Sequence, residues 1–149
     1  VPKTVVSVPY AITNRLAESR ARHLVKLRKA LDVKPRRKSL GCANLAHGLE
    51  ACETHDKAQL RSGDGPNLGI ITSFNDMLSA DQPFEHYPNL IRAAAREVGA
   101  TAQVAGGVPA MCDGVTQGEF VMELSLFSRD IIAMCTAVAP SHQTFDAAV

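Results

Sequence analysis

A chain of 149 residues, 46% hydrophobic and 21% charged, has the material for one ordinary soluble core. It has no apolar run long enough to cross a bilayer and no charged-then-apolar-then-small opening, so neither a membrane helix nor a signal peptide is expected, and the cytoplasm is the expected compartment. Four widely spaced cysteines, Cys42, Cys52, Cys112 and Cys135, form no Cys-x-x-Cys pair, which argues against a zinc module and a disulfide framework.

The net charge of +1 conceals an asymmetry. Residues 1–40 carry 11 Lys or Arg against 2 acids, and residues 41–149 carry 5 against 13, so the two parts differ as +9 and −8. Such a basic arm either binds nucleic acid or docks on the acidic body of its own protein or of a partner subunit. It lacks interleaved aromatics for stacking on bases, which favours docking. A nucleic-acid-binding module built on the arm is the alternative of a different class.

In chain order, residues 1–9 read as extended, with Pro2 and Pro9 excluding a helix interior. From about Thr13 the pattern becomes helical. Ile12, Leu16, Leu24, Leu27 and Leu31 share one stripe, with Arg15, Arg22, Lys26 and Lys29 opposite. Pro35 disfavours a helical Lys34, so this amphipathic helix should end near Val33, and Arg36-Arg37-Lys38 reads as a solvated connector. The arm, residues 1–40, then gives way to an α/β body, residues 41–149. Cys42, His47, Cys52 and His55 follow at spacings too irregular for a metal module, and read as helix-packing thiols and surface histidines.

Ser62-Gly63-Asp64-Gly65-Pro66 is a loop, and Asn67 to Phe74 reads as a short buried strand. The loop after it carries Asn75, Asp76, Ser79, Asp81 and His86. This polar density suits either a capped, solvated turn or a functional loop. Pro88 opens a helix that Gly99 ends, with Leu90, Ile91, Ala94, Ala95 and Val98 inward and Arg92, Arg96 and Glu97 outward. Thr101 to Ala105 is the next strand, and the strand–helix–strand order predicts a parallel pair. The stretch from Gly106 to Cys135 then combines a turn rich in glycine, holding Cys112 and Asp113, with a helix marked by Leu124, Phe127, Ile131 and Met134. Gly114 and Gly118 are expected to free its backbone. A thiol and a carboxylate there stand beside the carboxyl end of a strand, where ligands bind in open α/β sheets; a Cys-Asp-Gly turn can equally be only a turn. Phe145 to Val149 begins a third strand, and a parallel sheet stopping there reads as incomplete.

The strings AGGVPAMCDGVTQG from Ala105, MELSL-SR-IIAM from Met122, SFNDMLSA-QP-EHYP from Ser73 and CANLAHG from Cys42 resemble the dihydroxyacid dehydratase and phosphogluconate dehydratase family, most closely its phosphogluconate branch. The resemblance implies an N-terminal three-layer α/β domain with a parallel or mixed sheet, here truncated and preceded by the basic helix. It also implies a hydro-lyase, homodimeric at full length, with an iron–sulfur cluster of the 4Fe-4S kind and a magnesium ion. The implied reaction is dehydration of 6-phospho-D-gluconate to 2-dehydro-3-deoxy-6-phospho-D-gluconate in the Entner–Doudoroff route; the alternative is another sugar-acid or dihydroxy-acid dehydratase of the family.

By the same resemblance, Asp113 matches a magnesium ligand, and Asn75, Asp76, Ser79, His86, Ser128 and Arg129 belong to the substrate or active-site loops. The family's cluster cysteine, in a Cys-Asp-Lys motif, would follow the strand beginning at Phe145. The general base would lie further on, so this stretch alone is expected to be inactive. Among the thiols present, Cys112 stays open as a cluster ligand; none occurs between Cys52 and Cys112, so the cysteine that some relatives carry in the loop after the first strand has no counterpart. Departures from the family pattern are Ala43 and Ala147 in place of glycine, and Val121 after Phe120, expected to crowd the turn.

Overall fold

The computed structural model describes the backbone of residues 3–32 and 36–149 and the side chains of residues 13–29 and 37–149. It divides into two compact units, residues 1–34 and residues 35–149. The first is one helix, α1 (Lys3–Asp32). Residues 3–9 are therefore helical rather than extended. Pro9 lies within the first two turns, where it removes one N–H donor at a cost of about 3 kcal/mol, and the helix continues through it for more than five further turns' worth of backbone bonds. The expected helix end at Val33, and the side chains of Ile12 and Leu31, lie outside the described residues.

The second unit runs α2 (Cys42–Leu49), α3 (Thr54–Ser62), β1 (Asn67–Thr72), α4 (Tyr87–Glu97), β2 (Thr101–Gly107), α5 (Asp113–Thr116), α6 (Leu124–Val138) and β3 (Ala147–Ala148), with 3₁₀ turns at Arg36–Ser39, Ser79–Glu85, Phe120–Glu123 and Pro140–His142. The strands form one sheet in the order β2-β1-β3, with both pairings parallel. β1 pairs with β2 from Asn67 opposite Thr101 to Ile70 opposite Val104. Ile71 then pairs with Gly106, so Ala105 is the extra residue of a bulge, which bends β2 just before it leaves the sheet. Amides on both sides of β3 extend its pairing: Asp146 N donates to Asn67 O at 2.8 Å and Ile71 N to Val149 O at 2.9 Å.

Alternation along the strands gives the sheet two unlike faces. Leu68, Ile70 and Ala102 meet Ile91 and Ala95 of α4 and form a small apolar core. The neighbouring strand positions instead present Asn67, Thr101 and Gln103, whose side chains bond to one another and to the segment at α2. Gly69 is needed here, because a Cβ would stand 3.0 Å from the Phe145 ring.

Several orientations differ from the expected ones. On α4, Leu90 and Val98 are 62% and 77% exposed and Ala94 is exposed, leaving Ile91 and Ala95 as the packed pair. Arg96 turns inward, not outward: its guanidinium grips Asp56 of α3 through two bonds of 2.9 and 2.8 Å and also reaches Glu53 at 2.6 Å. On α6 the half-buried positions are Ser125, Ser128, Ile131, Ile132, Cys135 and Thr136, so Phe127 and Met134 face outward. Cys42 is exposed rather than packed between helices. In the turn before α6, Gly118 takes a positive φ of 83° while Gly114 does not, and Phe120, 90% exposed, does not crowd it.

The largest correction is Arg37. Far from being solvated, it is 4% exposed. Its Nη1 donates to Thr144 O at 3.0 Å and to Asp146 Oδ2 at 3.1 Å, and its Nη2 to Gly65 O at 2.7 Å. The same Asp146 oxygen accepts from Asn67 N at 2.7 Å. Asn67 Nδ2 donates to Thr144 O and to Gln103 Oε1, and Thr101 Oγ1 donates to Asn67 Oδ1. One polar network thus ties the amino ends of all three parallel strands, which no hairpin holds in register.

Candidate functional site

The carboxyl ends of the same strands open into two loops, one after β1 and one after β2. β1 ends at Thr72, whose hydroxyl accepts from Phe74 N at 3.1 Å and turns the chain out of the sheet. Asn75 then acts as a cross-tie: its Nδ2 donates to Ser73 O at 3.0 Å and to Ala110 O, in the other loop, at 3.4 Å, while its Oδ1 accepts from Met77 N. The Ser73 hydroxyl donates to the Asp81 carboxylate, fixing the 3₁₀ turn that follows. Of the polar residues singled out here, Asn75 is the one that joins the two loops.

Asp76 and Ser79 are exposed on the first loop. His86 stands at the junction with α4, its ring 3.7 Å from the Glu85 carboxylate. Cys112 and Asp113 lie where the second loop enters α5. Cys112 is half-buried, and its carbonyl accepts from Val115 N at 3.1 Å and Thr116 N at 3.3 Å. Asp113 is exposed, and its carboxylate forms no hydrogen bond or ion pair among the described residues. Ser128 and Arg129 lie farther along, on α6: the Ser128 hydroxyl donates to Ser125 O at 2.6 Å, and Arg129 is exposed. No hydrogen bond among the described residues joins that pair to the loops.

Beside the end of β1 lies a cavity of about 210 Å³, lined by Ile71, Thr72, Ser73, Phe84, Tyr87 and Val149 among others. Phe84 and Tyr87 pack with ring centroids 5.5 Å apart. Sequence reasoning passed over these two rings, although their spacing across the turn into a helix beginning at Tyr87 was the available signal. It also passed over the tie between Cys52 and the sheet: Gln103 Nε2 donates to Gly48 O at 2.8 Å and to Cys52 Sγ at 3.0 Å. Burial is the main influence on that thiol and pushes its pKa up.

Among the described residues, no group of three or more His, Cys, Asp or Glu is placed to hold a metal ion. The four cysteines lie in α2, in the turn after it, at the entrance to α5 and in α6. The residues present do not by themselves make a site for an iron–sulfur cluster.

A parallel sheet with its polar loops gathered at the carboxyl ends is the arrangement of open α/β proteins that bind small ligands there. The chain belongs to the dihydroxy-acid/6-phosphogluconate dehydratase N-terminal family, whose model matches residues 65–149. It is 59% identical over 143 residues to a phosphogluconate dehydratase of Rhizobium meliloti, covering 93% of this chain. It is 53% identical over 145 residues to one of Escherichia coli (strain K12), covering 97%. A dihydroxy-acid dehydratase of Lachnoclostridium phytofermentans is 30% identical over 86 residues, 58% of this chain and 15% of that protein. The chain spans about a quarter (24%) of the length of the phosphogluconate dehydratases it matches.

Proposed function

We propose that the whole protein dehydrates 6-phospho-D-gluconate to 2-dehydro-3-deoxy-6-phospho-D-gluconate, the hydro-lyase step of the Entner–Doudoroff route. The observation that carries this reading is the gap in similarity: 59% and 53% identity to proteins named phosphogluconate dehydratase, against 30% over a shorter stretch to a dihydroxy-acid dehydratase. The substrate is then a sugar-acid phosphate, the working assembly a homodimer and the compartment the cytoplasm.

Elimination of water next to a carboxylate must remove a weakly acidic proton from C2 and release hydroxide from C3. An iron–sulfur cluster with an open iron would supply a Lewis acid for the leaving oxygen; in this reading a Cys-Asp-Lys cysteine and the base come from parts of the protein outside this chain, and Cys112 is the thiol here that stays open as a further ligand. The contribution assigned to these residues is positioning and charge. Asn75, by tying Ser73 and Ala110 together, holds the two loops at a fixed spacing. Asp113 offers a free carboxylate, the hard oxygen donor that magnesium takes. Asp76, Ser79 and His86 supply polar groups from the first loop, and Ser128 and Arg129 from α6, where a guanidinium suits an anionic substrate.

The test is to purify the whole protein without oxygen and offer it 6-phosphogluconate beside a branched 2,3-dihydroxy acid, following 2-keto acid formation. Selective turnover of phosphogluconate is expected. Turnover of the dihydroxy acid with none of the phosphate ester would overturn the assignment in favour of the family's other branch.

A further inference from the structure

The second loop is anchored at both ends. Where β2 leaves the sheet, Val108 N donates to Thr72 O at 2.9 Å, and at the entrance to α5 the Cys112 carbonyl accepts from Val115 N and Thr116 N. Pro109, Ala110 and Met111 lie between these anchors. Pro109 has no N–H to give, and among the described residues the one hydrogen bond that reaches this stretch comes from the Asn75 side chain, Nδ2 to Ala110 O at 3.4 Å. A little further on stands Asp113, exposed and with no bonded partner of its own among the described residues. Its place is therefore set by the backbone that carries it.

The Asn75 carboxamide can set that backbone because it is held from its own side. Nδ2 also donates to Ser73 O at 3.0 Å, one hydrogen for each carbonyl, and Oδ1 accepts from Met77 N at 3.0 Å. Both donors and one acceptor site of the amide are thus used, on a half-buried residue. The bond to Ala110 is at the long end for N–H···O, so its consequence is geometric more than energetic. The other role open to Asn75 is local, the side chain of an Asx turn that serves the first loop alone through Met77 N. The two roles use different atoms, and substitution separates them.

We propose that Asn75 is the positioning residue of Asp113: anchored on the first loop, its amide donor fixes the second loop and thereby the affinity of the Asp113 carboxylate for a divalent cation that Asn75 does not touch. A hard cation held through one or two carboxylates binds less tightly when a carboxylate must first be ordered. Outer partners that orient a ligand change metal affinity by about 10–100-fold. The inference rests on the reading of Asp113 as a magnesium ligand and adds what holds that ligand in place.

The test compares Asn75→Ser, Asn75→Ala and Asp113→Asn in the whole protein. Serine keeps an uncharged oxygen that accepts from Met77 N but is too short to carry donors to both carbonyls, whereas alanine removes both roles. Hydrogen exchange of the magnesium-free protein, read by mass spectrometry, should be faster in both Asn75 variants over residues 110–116 and unchanged in β1 and β2. Equilibrium magnesium titration should show affinity lowered roughly tenfold or more in both. Adding Asn75→Ser to Asp113→Asn should lower it no further, because the two residues act through one carboxylate. An Asn75→Ser variant with wild-type loop exchange would overturn the proposal in favour of the local turn, and faster exchange throughout the sheet would overturn it in favour of a general structural role. Magnesium affinity lowered by Asp113→Asn but not by Asn75→Ser would overturn it while leaving Asp113 a ligand. Affinity indifferent to Asp113→Asn would overturn both.

Discussion

The amino and carboxyl ends of the three strands are built from similar residues, asparagine, threonine, serine and aspartate, and use them in opposite ways. At the amino ends almost every polar group is matched: Asn67 and Thr101 are fully buried, and Arg37 closes the network with bonds to Gly65, Thr144 and Asp146. At the carboxyl ends Asn75 and Ser73 make the bonds that shape the loops, while Asp76, Ser79 and Asp113 stand exposed. A satisfied buried network stabilises one arrangement, whereas exposed polar groups on shaped loops are available to a ligand. If the amino ends carry stability and the carboxyl ends the proposed chemistry, substitutions at the two ends should separate cleanly.

The largest stability effect is expected from Arg37→Met. The methionine keeps bulk but removes the guanidinium bond to Gly65 O and leaves Thr144 O and Asp146 with only their bonds from Asn67. Arg37 is buried but Asp146 is exposed, so what is lost is a set of charge-assisted bonds; that costs roughly 1.5–3 kcal/mol, and urea unfolding of the chain should read a loss in that range. A loss below about 1 kcal/mol would mean that the network is not what holds β3. Asn67→Ala comes next. It deletes bonds to Gln103, Thr144 and Thr101 in a residue with no exposed surface, and an unsatisfied buried partner costs about 1–3 kcal/mol.

Two smaller effects sharpen the comparison by looking beside the network. The Arg96 guanidinium bonded to Asp56 holds that carboxyl below its usual pKa, and the partner arginine is raised in turn. A carboxyl depressed on folding contributes stability that is present above its unfolded pKa, near 3.9, and is lost as pH falls through the lower folded value. Wild type should therefore lose stability more steeply than Asp56→Asn as pH drops below about 4, and the two melting curves should converge in acid. Cys52, its pKa raised mainly by burial, should alkylate more slowly than exposed Cys42 at neutral pH, because the thiolate is the reacting form. Peptide-level mass spectrometry after brief iodoacetamide treatment measures the order of labelling.

How much of this was legible in the sequence follows from the range of the forces involved. β1, α4 and β2 were readable because apolar period, Pro88 and Gly99 are local signals, and the parallel pairing followed from their order. Arg37 was misread because its partners lie 28, 107 and 109 positions away, and a run of three basic residues looks solvated until the chain closes around one of them. Arg96 was misread likewise, since Asp56 is 40 positions distant. The outward stripe of α6 was invisible for a different reason: period locates an apolar face but does not say which neighbour covers it. The loops after β1 and β2 announced themselves by polarity and glycine, yet the bond from Asn75 to Ala110 that joins them spans 35 positions.

The smallest stability effect, and the sharpest contrast with Arg37, is expected at Asp113. Asp113→Asn preserves size and turn preference, and the native carboxylate is exposed with no bonded partner among the described residues. Unfolding of the chain should therefore change by no more than about 0.5 kcal/mol, the usual range for surface substitutions. The charge is what disappears. If Asp113 holds a divalent cation in the whole protein, losing one of few carboxylates weakens that ion strongly, so turnover should fall steeply and recover in part at high magnesium. A turn aspartate without a ligand predicts the reverse, near-normal turnover at limiting magnesium. Measuring unfolding, metal content and turnover on the same variant decides between them, because a shared loss of all three would mean that the carboxyl ends carry stability after all.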